Sequence, residues 1–295
     1  MELQWPLIIF TTLVAWSAGL FGSQALMALK GEGKKAQMPA LITSVVLMAV
    51  GGIAVFFHLQ HWERIFNGFG HLTSGITQEL IAIVVVVVFM VVYFAMLRKS
   101  GDGSVPKWLA GVSIALSVVL VAVMAHSYMM PARPAWNSVF WIIAVLGNAC
   151  VLGPATMAVI MALKGDDVAP IGLSALAGAA VNAVTTIVFA IVMQMSGSAF
   201  SEVGYYFDPT HPTHGMTDVA GVTNIFTGEL APLVWIGVII IGAVLPVVAA
   251  FLGKKKGDAA NWKIWGSVAV VAAVIGAVCL RVVFYELGFS MFMFY

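Results

Sequence analysis

Between Glu79 and Leu97 the chain reads ELIAIVVVVVFMVVYFAML, and after the opening glutamate no charged residue interrupts it. The five valines Val84 to Val88 favour a strand on propensity alone. In hydrocarbon, however, an open strand leaves its backbone N–H and C=O groups without partners, whereas a helix satisfies them within itself. About 20 helical residues cover the roughly 30 Å of a bilayer core. The stretch therefore predicts a membrane-spanning helix over about 78–97.

Working outward, seven further apolar runs of similar length are bounded by charges or turn residues. They predict helices at about 5–29, 39–59, 106–128, 137–163, 169–195, 229–252 and 262–287. The breaks carry turn chemistry: Gly31-Glu32-Gly33, Ser100-Gly101-Asp102-Gly103, Pro131-Ala132-Arg133-Pro134, Gly165-Asp166-Asp167 and Lys254 to Asp258. Met1-Glu2-Leu3-Gln4 has no positive charge, and the apolar run behind it is too long for a cleavable signal core, so it is expected to remain as the first helix. The stretch from 196 to 228, rich in Gly, Pro, His and Asp, reads as a long external loop. The expected fold class is all-α and integral to a membrane, one transmembrane domain over 1–295 with eight spans.

Composition agrees. Hydrophobic residues make up 61% and charged residues 9% of the chain, and mean hydropathy is +1.02, where soluble domains carry about 25% charge. A net charge of +1 points to neither nucleic acid nor an acidic partner. Cys150 and Cys279 both lie in apolar runs, and two thiols supply neither a disulfide framework nor the four ligands of an iron–sulfur cluster.

Lysine and arginine set the orientation. The loops after the first, third, fifth and seventh helices hold 11 of the 14 positive residues: Lys30, Lys34, Lys35; Arg98, Lys99, Lys107; Lys164; and Lys254, Lys255, Lys256, Lys263. The opposite side has Arg64 and Arg133, while Arg281 falls inside the last helix. The basic loops are expected in the cytoplasm and both termini outside. Met27-Ala28-Leu29-Lys30-Gly31 recurs as Met161-Ala162-Leu163-Lys164-Gly165, and the same offset takes Gly19 to Gly153. A true repeat makes residues 1–130 and 131–295 parallel four-helix halves; the alternative is coincidence of a common apolar pentamer.

Ionisable groups at membrane depth are costly and mark function by default. His58 ends the second helix on the outer side, Glu79 opens the third there, and Arg64 lies in the short connection between them. Arg281 and His126 fall in the same outer layer, beside Trp62, Phe66 and Phe69. Interfacial snorkelling and helix capping account for many such residues, and for His126 alone that reading is preferred. A histidine and a carboxylate beside an aromatic slot can accept the two protons of a hydroquinone.

Trp5-Pro6-Leu7-Ile8-Ile9-Phe10, then His58-Leu59 followed by Arg64, Phe66 and Asn67, then Glu79, and finally Arg281-Val282-Val283-Phe284-Tyr285, resemble the membrane anchor subunit of dimethyl sulfoxide reductase along the whole chain. The resemblance implies a haem-free, metal-free quinol dehydrogenase of the bacterial inner membrane. It would oxidise menaquinol near the outer face and pass electrons to a four-cluster iron–sulfur subunit, which feeds a molybdopterin catalytic subunit in anaerobic respiration. It implies His58 and Glu79 as proton acceptors and His58, Arg64, Phe66, Asn67, Glu79 and Arg281 as quinol-binding. The family often has Gly and Pro two and four residues after the histidine, where this chain has Gln60 and Trp62, so a differently shaped loop is expected.

Other motifs weigh less. The spaced pairs His58/His61 and His211/His214 make a poor metal site, because Pro212 prevents regular helical presentation of the second pair. The small residues Gly172, Ala175, Gly178 and Ala179 read as helix packing, and Lys254-Lys255-Lys256 as an anchor at anionic lipid. The 196–228 loop has no Lys or Arg but has Glu202, Asp208, Asp218, Tyr205, Tyr206 and Phe207, and suits a landing surface for an iron–sulfur partner. A secondary transporter would use Pro154, Pro232 and Pro246 as helix breaks, but it needs polar groups at mid-membrane, where only Gln24, Asn148 and Asn182 stand. A b-haem anchor would use His58 and His126 as axial ligands.

Overall fold

The protein is seen in a computed structural model, which describes residues 3–58, 61, 67, 69–200 and 224–290. Among these residues all regular structure is helical, and eight helices are long and apolar enough to cross a membrane. They are α1 (Trp5–Lys30), α2 (Gln37–Phe56), α3 (Gly75–Ser100), α4 (Lys107–His126), α5 (Val139–Lys164), α6 (Ala169–Met195), α7 (Leu233–Lys256) and α8 (Ala259–Glu286).

Several ends differ from expectation for physical reasons. α2 starts two residues early because Asp166, from the loop after α5, accepts from the Lys35 and Ala36 backbone N–H groups at 3.4 and 2.8 Å. This carboxylate satisfies donors that a helix start leaves orphaned, at the end where the dipole favours negative charge. Sequence gives no sign of a cap supplied from 130 residues away. At its other end α2 closes in a tight turn, with Phe57 and His58 N–H bonded to the Ala54 and Val55 carbonyls. α8 gains a turn from Asp258, whose Oδ1 accepts from Asn261 N–H at 2.7 Å.

The first half of α7, Leu233–Val244, is wound as a π-helix. Pro246 follows and has no N–H to offer the Gly242 carbonyl four residues earlier. That oxygen instead accepts from Asn182 Nδ2 of α6 at 2.9 Å.

α1 and α5 are the most deeply buried helices, while α3 presents most of its surface outward. α1 packs on α2, α4 and α5, and α5 on α6 and α8. The α1–α5 crossing is made at Gly19 and Gly153: a Cβ on Gly153 would strike the Gly19 carbonyl, and one on Gly19 the Ala149 carbonyl. Backbones that close gain packing and lose nothing to side-chain ordering. Trp16 Nε1 donates to Thr156 Oγ1 at 2.8 Å across the same seam. Both helices end alike, in a left-handed glycine (Gly31, φ 75°; Gly165, φ 70°) that turns the chain and bonds back to the last helical carbonyls.

Candidate functional site at the end opposite the basic loops

Glu79 sits in the second turn of α3, and its carboxyl is buried, 7% exposed. Oε2 lies 2.9 Å from the Ser127 hydroxyl, just beyond the end of α4. Oε1 is buried without a partner among the described residues. The Ser127 hydroxyl is also 2.7 Å from the Met124 carbonyl. One hydroxyl proton cannot serve both acceptors fully, so Ser127 either donates to Glu79 or donates to Met124 and accepts from a protonated Glu79.

Tyr128 follows Ser127. Burial pushes its phenol well above the usual tyrosine range, and the neighbouring Glu79 and Tyr285 groups add to that rise. It therefore stays protonated, an O–H donor at neutral pH. Its ring meets that of Tyr285 edge-on, with centroids 6.5 Å apart. Tyr285 lies four residues after Arg281 on α8, hence on the same helix face.

Arg281 is fully buried. Its Nε donates to Thr11 Oγ1 at 2.8 Å, Nη1 to Asn148 Oδ1 at 2.9 Å and to the Ala277 carbonyl at 3.0 Å, and Nη2 to the Thr11 carbonyl at 3.3 Å. No carboxylate stands within 4 Å of it among the described residues. A buried ion without a counter-charge survives only when its hydrogen bonds are met, which these neutral oxygens do. The chain continues inward: Asn148 Nδ2 donates to Asn182 Oδ1 at 2.7 Å, and Asn182 to the Gly242 carbonyl.

Above this chain rises a stack of rings. Phe284 lies flat between Trp141 (centroids 4.0 Å, 13°) and Trp136 (4.8 Å, 10°). The Arg281 guanidinium sits 5.7 Å from the Trp141 ring. Trp136 Nε1 donates to the Phe284 carbonyl at 2.5 Å, and Arg133 caps the Gly288 carbonyl while lying 4.4 Å over Trp136.

The expected residues separate into groups. Glu79 and Arg281 both lie close enough to Tyr128 to act on its charge. His58 is exposed at the end of α2, as is Asn67, and among the described residues no hydrogen bond or ion pair joins His58 to Glu79. Arg64 and Phe66 lie outside the described residues, as does the 201–223 part of the expected landing loop. His126 is exposed at the end of α4. Sequence does not single out Ser127 or Tyr128, and it marks Tyr285 only as the end of the closing motif. The fourfold spacing of Arg281 and Tyr285 is the one signal that could have brought the last of them into the site.

The family model of the DMSO reductase anchor subunit (DmsC) matches residues 1–287. Among curated proteins, 208 residues are 27% identical to the C subunit of the anaerobic dimethyl sulfoxide reductase of Escherichia coli (strain K12), a match covering 68% of this protein and 71% of that one. An all-helical bundle of eight spans matched over nearly its whole length places it: the chain belongs to the DMSO reductase anchor subunit family.

Proposed function

We propose that this chain is the quinol-oxidising, haem-free anchor of a molybdopterin oxidoreductase complex. It takes menaquinol at the end of the bundle opposite the basic loops, which by the distribution of positive charge is the outer face of a bacterial inner membrane with both termini outside. Oxidation of the quinol releases two protons and two electrons. The electrons leave to a four-cluster iron–sulfur subunit docked on that face, partly on the 196–228 loop, and pass on to the molybdopterin subunit.

One observation carries the reading: a carboxyl, Glu79, buried near the end of a membrane helix away from the basic loops, with one oxygen held by Ser127 and the other open. Burying such a group in apolar surroundings is costly and is tolerated where protons are handled. In this scheme His58, exposed where α2 gives way to the loop, takes one quinol proton, and Glu79 takes the second. Arg64, Phe66 and Asn67 complete the head-group site, and Arg281 holds the polar centre beneath it.

The test is oxidation of a soluble menaquinol analogue by membranes carrying the assembled complex. His58→Ala and Glu79→Gln should each lower turnover by a factor of roughly 100 or more, within the range lost with a positioned acid or base, while subunit content is unchanged. Wild-type rates and an unchanged pH profile in both variants would refute the proposal.

A further inference from the structure

At the basic end of the bundle, remote from Glu79, the loops after α1 and α3 enclose a cleft of about 410 Å³. Lys34 and Lys35 line it from the loop after α1, Arg98 from the last turn of α3 and Asp102 from the loop beyond, with Met38 and Leu97 as apolar wall. Backbone contact builds the cleft. Gly103 has φ 78°, in the left-handed region, and a Cβ there would strike the Lys34 carbonyl. Only glycine lets the two loops close at that point.

The charges in this cleft do not cancel. Asp102 spends Oδ2 on Lys34 Nζ at 3.1 Å, and Oδ1 on the Ser104 hydroxyl at 2.6 Å and the Ser104 N–H at 3.1 Å. The Ser104 bonds, then Lys34, hold this carboxyl below the usual carboxylate range, so it is ionised and fully engaged. Asp166 is occupied by the backbone N–H groups of Lys35 and Ala36, and Glu32, two residues before Lys34 in the same loop, does not line the cleft and pairs with none of its cations among the described residues. Lys35 and Arg98 are left with no carboxylate within 4 Å among the described residues. Two free cations thus border a preformed cleft where two membrane helices reach the interface.

We propose that this cleft binds the phosphate head of an anionic phospholipid. Arg98 presents the planar fork that suits two phosphate oxygens, and Lys35 a second charge. Basic pockets between membrane helices at an interface take such head groups. The apolar wall argues for lipid over free phosphate: Met38 and the buried Leu97 line the same cleft as the cations and offer apolar surface to a glycerol and the first methylenes. α3, which supplies Arg98, is also the helix with most surface turned outward, so a lipid can reach the cleft from the side.

The experiment uses the full-length protein in detergent, with its melting temperature followed by tryptophan fluorescence. The titrants are dioctanoyl phosphatidylglycerol, dioctanoyl phosphatidylcholine and inorganic phosphate. A ligand that binds only the folded state raises the melting temperature with its concentration. Phosphatidylglycerol should raise it by several degrees, and the other two should not. Lys35→Gln and Arg98→Gln, both at exposed positions, should lose most of the shift. Lys99→Gln, next to Arg98 but outside the cleft, should keep it. Gly103→Val keeps every charge yet should lose the shift, because it forces the loops apart. An equal loss in Lys99→Gln would mean a diffuse basic surface and overturn the site. A shift reproduced by inorganic phosphate would overturn the lipid assignment. No shift, or one equal with phosphatidylcholine, would overturn the proposal outright.

Discussion

The Ser127 hydroxyl holds one proton and faces two acceptors, the Glu79 carboxyl and the Met124 carbonyl. A protonated Glu79 would leave the hydroxyl free to donate to Met124, and an ionised Glu79 would draw it back. Removing it leaves the carboxyl without a positioning partner, a loss of about 1–3 kcal/mol for an orphaned buried polar group. We expect Ser127→Ala to slow quinol oxidation about tenfold and to move the pH profile of turnover, and Ser127→Thr to restore both. A fall in rate with the profile unmoved would leave Ser127 a structural residue only. The acid itself was legible because a lone carboxylate at the edge of a long apolar run stands out. Ser127 and Tyr128 were not, since polar residues after a helix are ordinary there, and their significance lies in which distant helix they meet. Arg281 was legible as costly, but its partners Thr11 and Asn148 are 270 and 133 residues away, and only packing reveals them.

Helix identity and number followed from hydropathy, because lipid imposes length and internal hydrogen bonding on every span. What sequence did not disclose is how those helices are wound. Leu233 to Val244 reads as an apolar helix like its neighbours, yet it is a π-helix, and Pro246 beyond it leaves the Gly242 carbonyl to be satisfied by Asn182. If the missing N–H of Pro246 is what frees that carbonyl, the two residues are coupled. Asn182→Leu removes the donor and should destabilise the protein by about 1–3 kcal/mol, the cost of orphaning buried polar groups. Pro246→Ala restores a backbone N–H near that carbonyl, so Asn182→Leu should cost less in the Pro246→Ala background. A double-mutant cycle of melting temperatures reads this directly; strictly additive losses would show that proline and asparagine act apart.

For the molecule as a whole, the polar groups fall into two sets. One set, towards the Glu79 end, holds Glu79, the two tyrosines and Arg281, which bonds Asn148 and through it Asn182. The other, towards the basic end, joins Tyr93 to Gln37 at 2.9 Å and Gln37 to the Gln24 carbonyl at 3.0 Å. No hydrogen bond among the described residues links the two sets, and the fixed charge of Arg281 stands against a proton moving from the first towards the second. The near-blank mid-membrane read from sequence thus holds a polar chain from Arg281 that stops at Gly242. Turnover should accordingly be electroneutral: in sealed vesicles holding the whole complex and menaquinol, a potential-sensitive dye should stay flat while the catalytic partner's acceptor is consumed. A potential that builds with turnover and collapses with an uncoupler would reveal a transmembrane path. The bond between Arg281 and Thr11 also bears on biosynthesis. It joins α1 to α8, and α1 is synthesised seven spans ahead of α8, so Thr11 waits for its partner while those spans are made. Inserted alone, Arg281 is a charge in lipid at a cost of about 3 kcal/mol. The contacts of Arg281 therefore form only once α8 is made, and a chain truncated before Arg281 should be degraded faster in the membrane than the full chain.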